Sequence, residues 1–224
     1  MFFKSEEWFS RAQAGNVMSF ELTIEEGKFL INLARNTVKH YLETGEALKP
    51  PKETPKKLFE HCGVFVTINS LRNGEKELRG CIGYPYPTNP LVEAVIDNAV
   101  NAATEDPRFD PLSSAELSKV VFEVSVLTPP ERVDVKNPKE YLSKIKVGED
   151  GLIVERGPYK GLLLPQVPVE WGWCEEEFLC QCCMKAGLPP DTWLTEDAKI
   201  YKFKAIVFDE ETPCGEVKRL TLTK

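Results

Sequence analysis

Gly63-Val64-Phe65-Val66-Thr67-Ile68-Asn69, then Asn73-Gly74, then Leu78-Arg79-Gly80-Cys81-Ile82-Gly83 form the stretch that sets the class of the fold. The first run is rich in β-branched and aromatic residues, which suit a pleated, half-buried surface. Asn-Gly supplies the two positive-φ positions of a type I′ turn, so the whole reads as a β-hairpin. With Arg72 and Glu75 flanking that turn, an unbroken ladder sets Cys81 opposite Val66 and Arg79 opposite Ile68. Residues two apart in a strand share a face, which predicts Arg79 and Cys81 on one side, about 7 Å apart along the chain. The glycines at 80 and 83 leave room for another backbone or a ligand to approach.

Upstream, Thr23 and Glu26 make a capping box that starts a helix running to about Leu42, with Leu30, Ala34, Val38 and Tyr41 on one face. Residues 47–57, rich in proline and lysine, read as an exposed connection. Downstream, Tyr84-Pro85-Tyr86-Pro87 closes the strand, and Asn89 is expected to cap a helix with Pro90 at its first position. Ser113 and Glu116 form a second capping box, placed on a short helix. Residues 120–127 read as a strand with Val120, Phe122, Val124 and Val126 on one face and Val121, Glu123, Ser125 and Leu127 on the other.

The second half repeats this order. Residues 151–156 and 161–164 make a hairpin around Gly157-Pro158, a helix covers 175–186, and 199–208 is a strand. Hairpin, helix, short segment and strand occurring twice predict an α+β fold built on a duplicated sheet-and-helix repeat. Pro129-Pro130 is the plainest break, and Asn137 followed by Pro138 starts a helix beyond it. The expected organisation is a leader over 1–19, a larger lobe from 20–128 and 193–224, and a smaller lobe over 129–192.

The 224 residues carry 28 basic against 35 acidic side chains, a formal charge of -7, which speaks against a broad nucleic-acid footprint. No apolar run is long enough to span a bilayer, and Glu6 and Glu7 stand where a signal peptide would be basic and then apolar. A cytoplasmic protein with reduced thiols is expected from this and from an odd count of seven cysteines.

Arg79 and Cys81 are the foremost candidate site. Arg79 would bind an anion and lower the pKa of Cys81 as nucleophile, with Glu123, the one carboxylate of its strand, as an assisting acid or base. The plainer use is Cys81 packed beside Val66 and Arg79 paired to a surface acid. Arg108 is a second candidate cation, with a salt bridge to Glu105, Asp106 or Asp110 as its alternative. Leu164-Pro165-Gln166-Val167-Pro168 and Trp171-Gly172-Trp173 read as a stiff loop presenting large amphipathic rings and a carboxamide, which suits a ligand wall through Gln166 and Trp173, or a partner contact. Phe178, Leu179, Cys182, Cys183 and Ala186 fall at the spacing of a buried helical stripe, so packing and not metal explains the paired cysteines. No phosphate-loop, dinucleotide, zinc-protease or hydrolase motif is present, and no metal or cofactor is expected.

At these residues the chain resembles the AMMECR1-domain family. Leu78-Arg79-Gly80-Cys81-Ile82-Gly83 is similar to the family's six-residue signature, and Pro107-Arg108-Phe109 with Pro111-Leu112 follows it. Gly148, Asp150-Gly151-Leu152, Leu164-Pro165-Gln166-Val167 and Gly172-Trp173 resemble further family segments, so the likeness covers about 20–210. The resemblance implies an α+β protein with a larger and a smaller lobe closely packed and an internal repeat. It attaches no secure activity, and it implies protein partners of the Memo-like or radical S-adenosylmethionine kind, with translation-related or nucleic-acid roles as another suggestion. The expected function is an accessory or small-ligand-binding protein with a cleft lined by Arg79, Cys81, Arg108, Gln166 and Trp173; the alternative is an enzyme using Cys81.

Overall fold

The structure, a computed structural model, describes residues 20–220; the leader over 1–19 lies outside the described residues. The chain divides into two compact units. Among the described residues, one comprises 22–127 together with 205–220, and the other comprises 128–204.

The larger unit starts with helix α1 (Ile24–Thr44). Thr23 accepts from the Glu26 N–H and Glu26 accepts from the Thr23 N–H, the reciprocal capping box its sequence requires. Strands β1 (Gly63–Arg72) and β2 (Glu75–Tyr84) form the hairpin, turned by Asn73 (φ 53°) and Gly74 (φ 85°). Helix α2 (Leu91–Thr104) and strand β3 (Val120–Leu127) follow. With β8 (Ala205–Glu210) and β9 (Val217–Leu220) they complete a five-stranded antiparallel sheet ordered β2-β1-β3-β8-β9. Helix α2 packs on β1 and β2, and α1 on β3, β8 and β9. Val64, Val66, Ile68, Val120, Phe122, Val124 and Phe208 meet the helices and are buried.

Two local expectations are corrected here. Helix α2 begins one residue later than expected: Pro90 itself occupies the cap and Asn89 makes no capping bond. Pro90 instead bridges to His61 and the Leu91 N–H donates to the Glu60 carbonyl, so a neighbouring segment does the work of a cap. Around Ser113 and Glu116 the chain forms only a 3-10 turn, Leu117–Lys119.

The smaller unit contains β4 (Glu131–Arg132), α3 (Tyr141–Lys144), β5 (Gly151–Arg156), β6 (Tyr159–Leu163), α4 (Gln166–Trp171), α5 (Glu175–Lys185) and β7 (Lys199–Phe203). Its four-stranded sheet is ordered β4-β7-β5-β6. Phe178, Leu179, Cys182 and Cys183 of α5 are fully buried with Leu152, Val154, Ile200 and Trp193, as the helical stripe required. The Cys182 thiol sits at 3.5 Å from the Gly161 carbonyl, and burial pushes its pKa up to about 12.

The expected strand over 199–208 is two strands in two sheets. At Lys204 the chain leaves β7 and enters β8, so the return to the larger unit falls there and not at 193. The Lys204 N–H donates to Thr128 Oγ1 and the Thr128 N–H to the Lys204 carbonyl, both at 2.8 Å, which ties the outgoing and returning chain together. The segment before Trp173, expected as a loop, is the short helix α4. Pro168 falls in its first turn, where N–H groups have no partner to lose, and Gly172 (φ 66°) ends it.

The two units share a pattern of connections. In one unit hairpin β1–β2 pairs through β1 with β3, with α2 between, and in the other hairpin β5–β6 pairs through β5 with β7, with α4 and α5 between. Each repeat also carries a glycine in the second hairpin strand where a helix crosses. A Cβ on Gly80 would lie 2.0 Å from the Ala102 carbonyl oxygen, and one on Gly161 would lie 2.5 Å from the Ala186 nitrogen.

Candidate site around Cys81

The ladder between β1 and β2 does not run unbroken. Asn69 faces Leu78, but Ile68 faces Gly80, so Arg79 is the extra residue of a β-bulge. Cys81 therefore stands opposite Thr67 and not Val66, and Arg79 has no partner at Ile68. The physical reason is the crossing of α2: only glycine fits under Ala102, and the bulge delivers Gly80 to that point. Simple alternation would have placed Gly80 beside Thr67 and turned Cys81 to the helix side.

The register then draws a polar row across the face of the sheet opposite the helices. Cys81 on β2 faces Thr67 on β1, Thr67 faces Glu123 on β3, Glu123 faces Asp209 on β8, and Asp209 faces Lys218 on β9. Thr67 Oγ1 donates to Cys81 Sγ at 3.2 Å, and Ser125 Oγ donates to Glu123 Oε1 at 3.2 Å. Two carboxylates directly opposite each other repel, and Lys76 offsets this by setting its ammonium on Asp209 and donating to the Glu210 carbonyl.

Strand β2 is an edge strand, and the segment after α2 covers it by side chains. Asp106 is buried and accepts the Cys81 N–H at 2.8 Å. Arg108 returns a fork to the same carboxylate through Nε at 2.9 Å and Nη2 at 2.7 Å, and Nη2 also reaches the Cys81 carbonyl at 3.4 Å. This is the Asp106 alternative the sequence offered for Arg108. It holds the Asp106 carboxyl well below the usual range, the Arg108 fork first and the two backbone N–H groups adding to it, against burial. Arg79 is drawn to the same segment. Its guanidinium pairs with Glu116 through Nε at 3.0 Å and donates to the Asp110 carbonyl at 2.9 Å, and it lies over the Phe109 ring, which Arg108 flanks as well. The Arg79 fork and the Ser113 N–H pull the Glu116 carboxyl down to about 2. Arg79 is thus placed as a tie between the bulge and the loop, as the plainer alternative had it.

Burial is the largest influence on the Cys81 thiol and pushes its pKa up; Thr67 and Arg108 pull it down in smaller measure, and Glu123 and Asp106 push it up. Neither histidine is among these influences. The sequence placed Cys81 and Glu123 in one site, and the structure brings both beside Thr67. Gln166 and Trp173 belong to the smaller unit, Gln166 opening α4 and Trp173 just beyond its Gly172 cap. Thr67, Asp106 and Glu116 escaped the sequence reading as site residues. Only a register with the bulge in it could have paired Thr67 with Cys81. Among the described residues no group of three His, Cys, Asp or Glu side chains is arranged to hold a metal, and no helix is long and apolar enough to cross a membrane.

The AMMECR1 family model matches residues 31–208, most of the chain, including Thr67, Cys81, Asp106, Arg108 and Glu123. This chain belongs to the AMMECR1 family. It is 56% identical to Protein PH0010 of Pyrococcus horikoshii over 206 residues, covering 92% of this chain and 100% of that protein. It is 52% identical to Protein MK0488 of Methanopyrus kandleri, covering 92% of this chain and 99% of that one. The crystal structure of the uncharacterised PH0010 superposes with a TM-score of 0.80 over 90% of this chain and 100% of that chain. The two-lobed α+β architecture is therefore that of an AMMECR1-family protein.

Proposed function

We propose that this AMMECR1-family chain is an accessory protein that binds a small polar ligand on the sheet face carrying Cys81, Thr67 and Glu123, without covalent use of the thiol. One observation carries the reading. The Cys81 peptide is held on both sides by Asp106 and Arg108, while burial pushes the pKa of its thiol up. A nucleophile needs the opposite, a depressed pKa or an adjacent base. A fixed thiol, a hydroxyl and a carboxylate in one row instead offer directional contacts for recognition. The family resemblance extends the reading to a place beside Memo-like or radical S-adenosylmethionine proteins in a modification pathway, with this chain supplying the bound ligand or the docking surface.

The test is a metabolite panel screened by thermal shift and by protection of Cys81 from alkylation. A ligand of this site raises Tm, slows Cys81 alkylation, loses affinity with Thr67→Val and Glu123→Gln, and still binds Cys81→Ala. A stable mass adduct on Cys81, or turnover abolished by Cys81→Ala, would replace this reading with the enzyme one.

A further inference from the structure

The smaller unit carries an exposed aromatic ledge that its own fold leaves unused. Trp171 ends α4 with 71% of its surface exposed, while Trp173 packs against the unit's core. Their rings stack, with centroids 6.2 Å apart and planes 17° from parallel. The ledge is stiff. The Gly172 N–H bonds back to Val169 at 3.3 Å, the Trp173 N–H bonds back to Pro168 at 2.9 Å, and Pro165 and Pro168 fix the approach. Ring area of this size facing water, on a fixed backbone, costs little entropy to engage.

Charge decides what would engage it. From Lys160 to Lys185 the intervening chain has four glutamates, at 170, 175, 176 and 177, and no basic residue. Glu177 is spent on the Cys174 N–H and Glu175 lies near the Val147 N–H. Glu170 and Glu176 are exposed, one just before Trp171 and one in the first turn of α5. An exposed aromatic face on a stretch of chain that carries carboxylates and no cation attracts cations by the ring quadrupole and by charge together. The same carboxylates repel phosphates, which argues against a nucleic acid stacking its bases here.

We propose that the Trp171–Trp173 ledge docks an arginine-bearing basic segment of a partner protein, one guanidinium lying on Trp171 and its neighbours paired with Glu170 and Glu176. This surface belongs to the smaller unit, whereas Cys81 belongs to the larger. The experiment uses the full chain with fluorescein-labelled hexa-arginine, read by anisotropy at 0.15 M salt. Binding is expected to weaken about tenfold in Trp171→Ala, to weaken less in Glu176→Gln, to survive in Trp171→Phe, and to be unchanged in Cys81→Ala. Circular dichroism of Trp171→Ala, a change at an exposed side chain, checks that the fold is kept. Equal affinity of wild type and Trp171→Ala, no binding at all, or equal binding of a glycine-serine hexapeptide or a single-stranded oligonucleotide would overturn the proposal.

Discussion

Thr67 and Glu123 act on the Cys81 thiol in opposite directions, and the difference can be measured. The Thr67 hydroxyl stabilises the thiolate by its hydrogen bond, whereas the Glu123 carboxylate disfavours a second negative charge. Thr67→Val should therefore raise the apparent pKa of Cys81 and Glu123→Gln should lower it, as read from the pH dependence of alkylation at the Cys81 peptide by mass spectrometry. A shift of the same sign in both variants would contradict the row of contacts. Arg79 shows what the sequence could and could not supply at this scale. Its residue type and place beside Cys81 were legible, but its use depends on Glu116 and Asp110, residues more than thirty positions away that no local pattern points to.

At the scale of elements, the hairpin turn, the capped first helix, the buried stripe of α5 and the two repeats were all legible, because each rests on local signals: Asn-Gly, Thr with Glu three residues on, and hydrophobic period. The bulge was not, because it is forced from outside the hairpin by the passage of α2 over Gly80. For the same reason the strand over 199–208 read as one, since nothing in its β-forming residues says that Lys204 passes between sheets. Gly80→Ala should destabilise the chain by about 1–3 kcal/mol, because the added methyl meets a backbone carbonyl and not a movable side chain. Gly161→Ala should do the same in the smaller unit, where the methyl meets the Ala186 nitrogen and the Cys182 carbonyl. Urea midpoints check both, and a midpoint unchanged by either variant would place the helix crossings elsewhere.

For the whole molecule, the loop that covers the edge strand makes stability depend on acid. Glu116 has a folded-state pKa of about 2 against an ordinary 4.5, and Asp106 is also held low. A lowered carboxylate pKa contributes stability that is present above the unfolded value and is lost as pH falls through the folded one. Urea midpoints should fall as pH drops from about 4.5 toward 2, and Glu116→Gln should flatten part of that fall. Whether Cys81 binds or attacks is read most directly from its alkylation by iodoacetamide between pH 6 and pH 10, followed at the Cys81 peptide beside a model thiol. The structure predicts a rate below that of the model thiol at neutral pH and a rise displaced to higher pH. A faster rate at neutral pH, with a midpoint below that of the model thiol, would contradict the binding reading and make Cys81 a nucleophile.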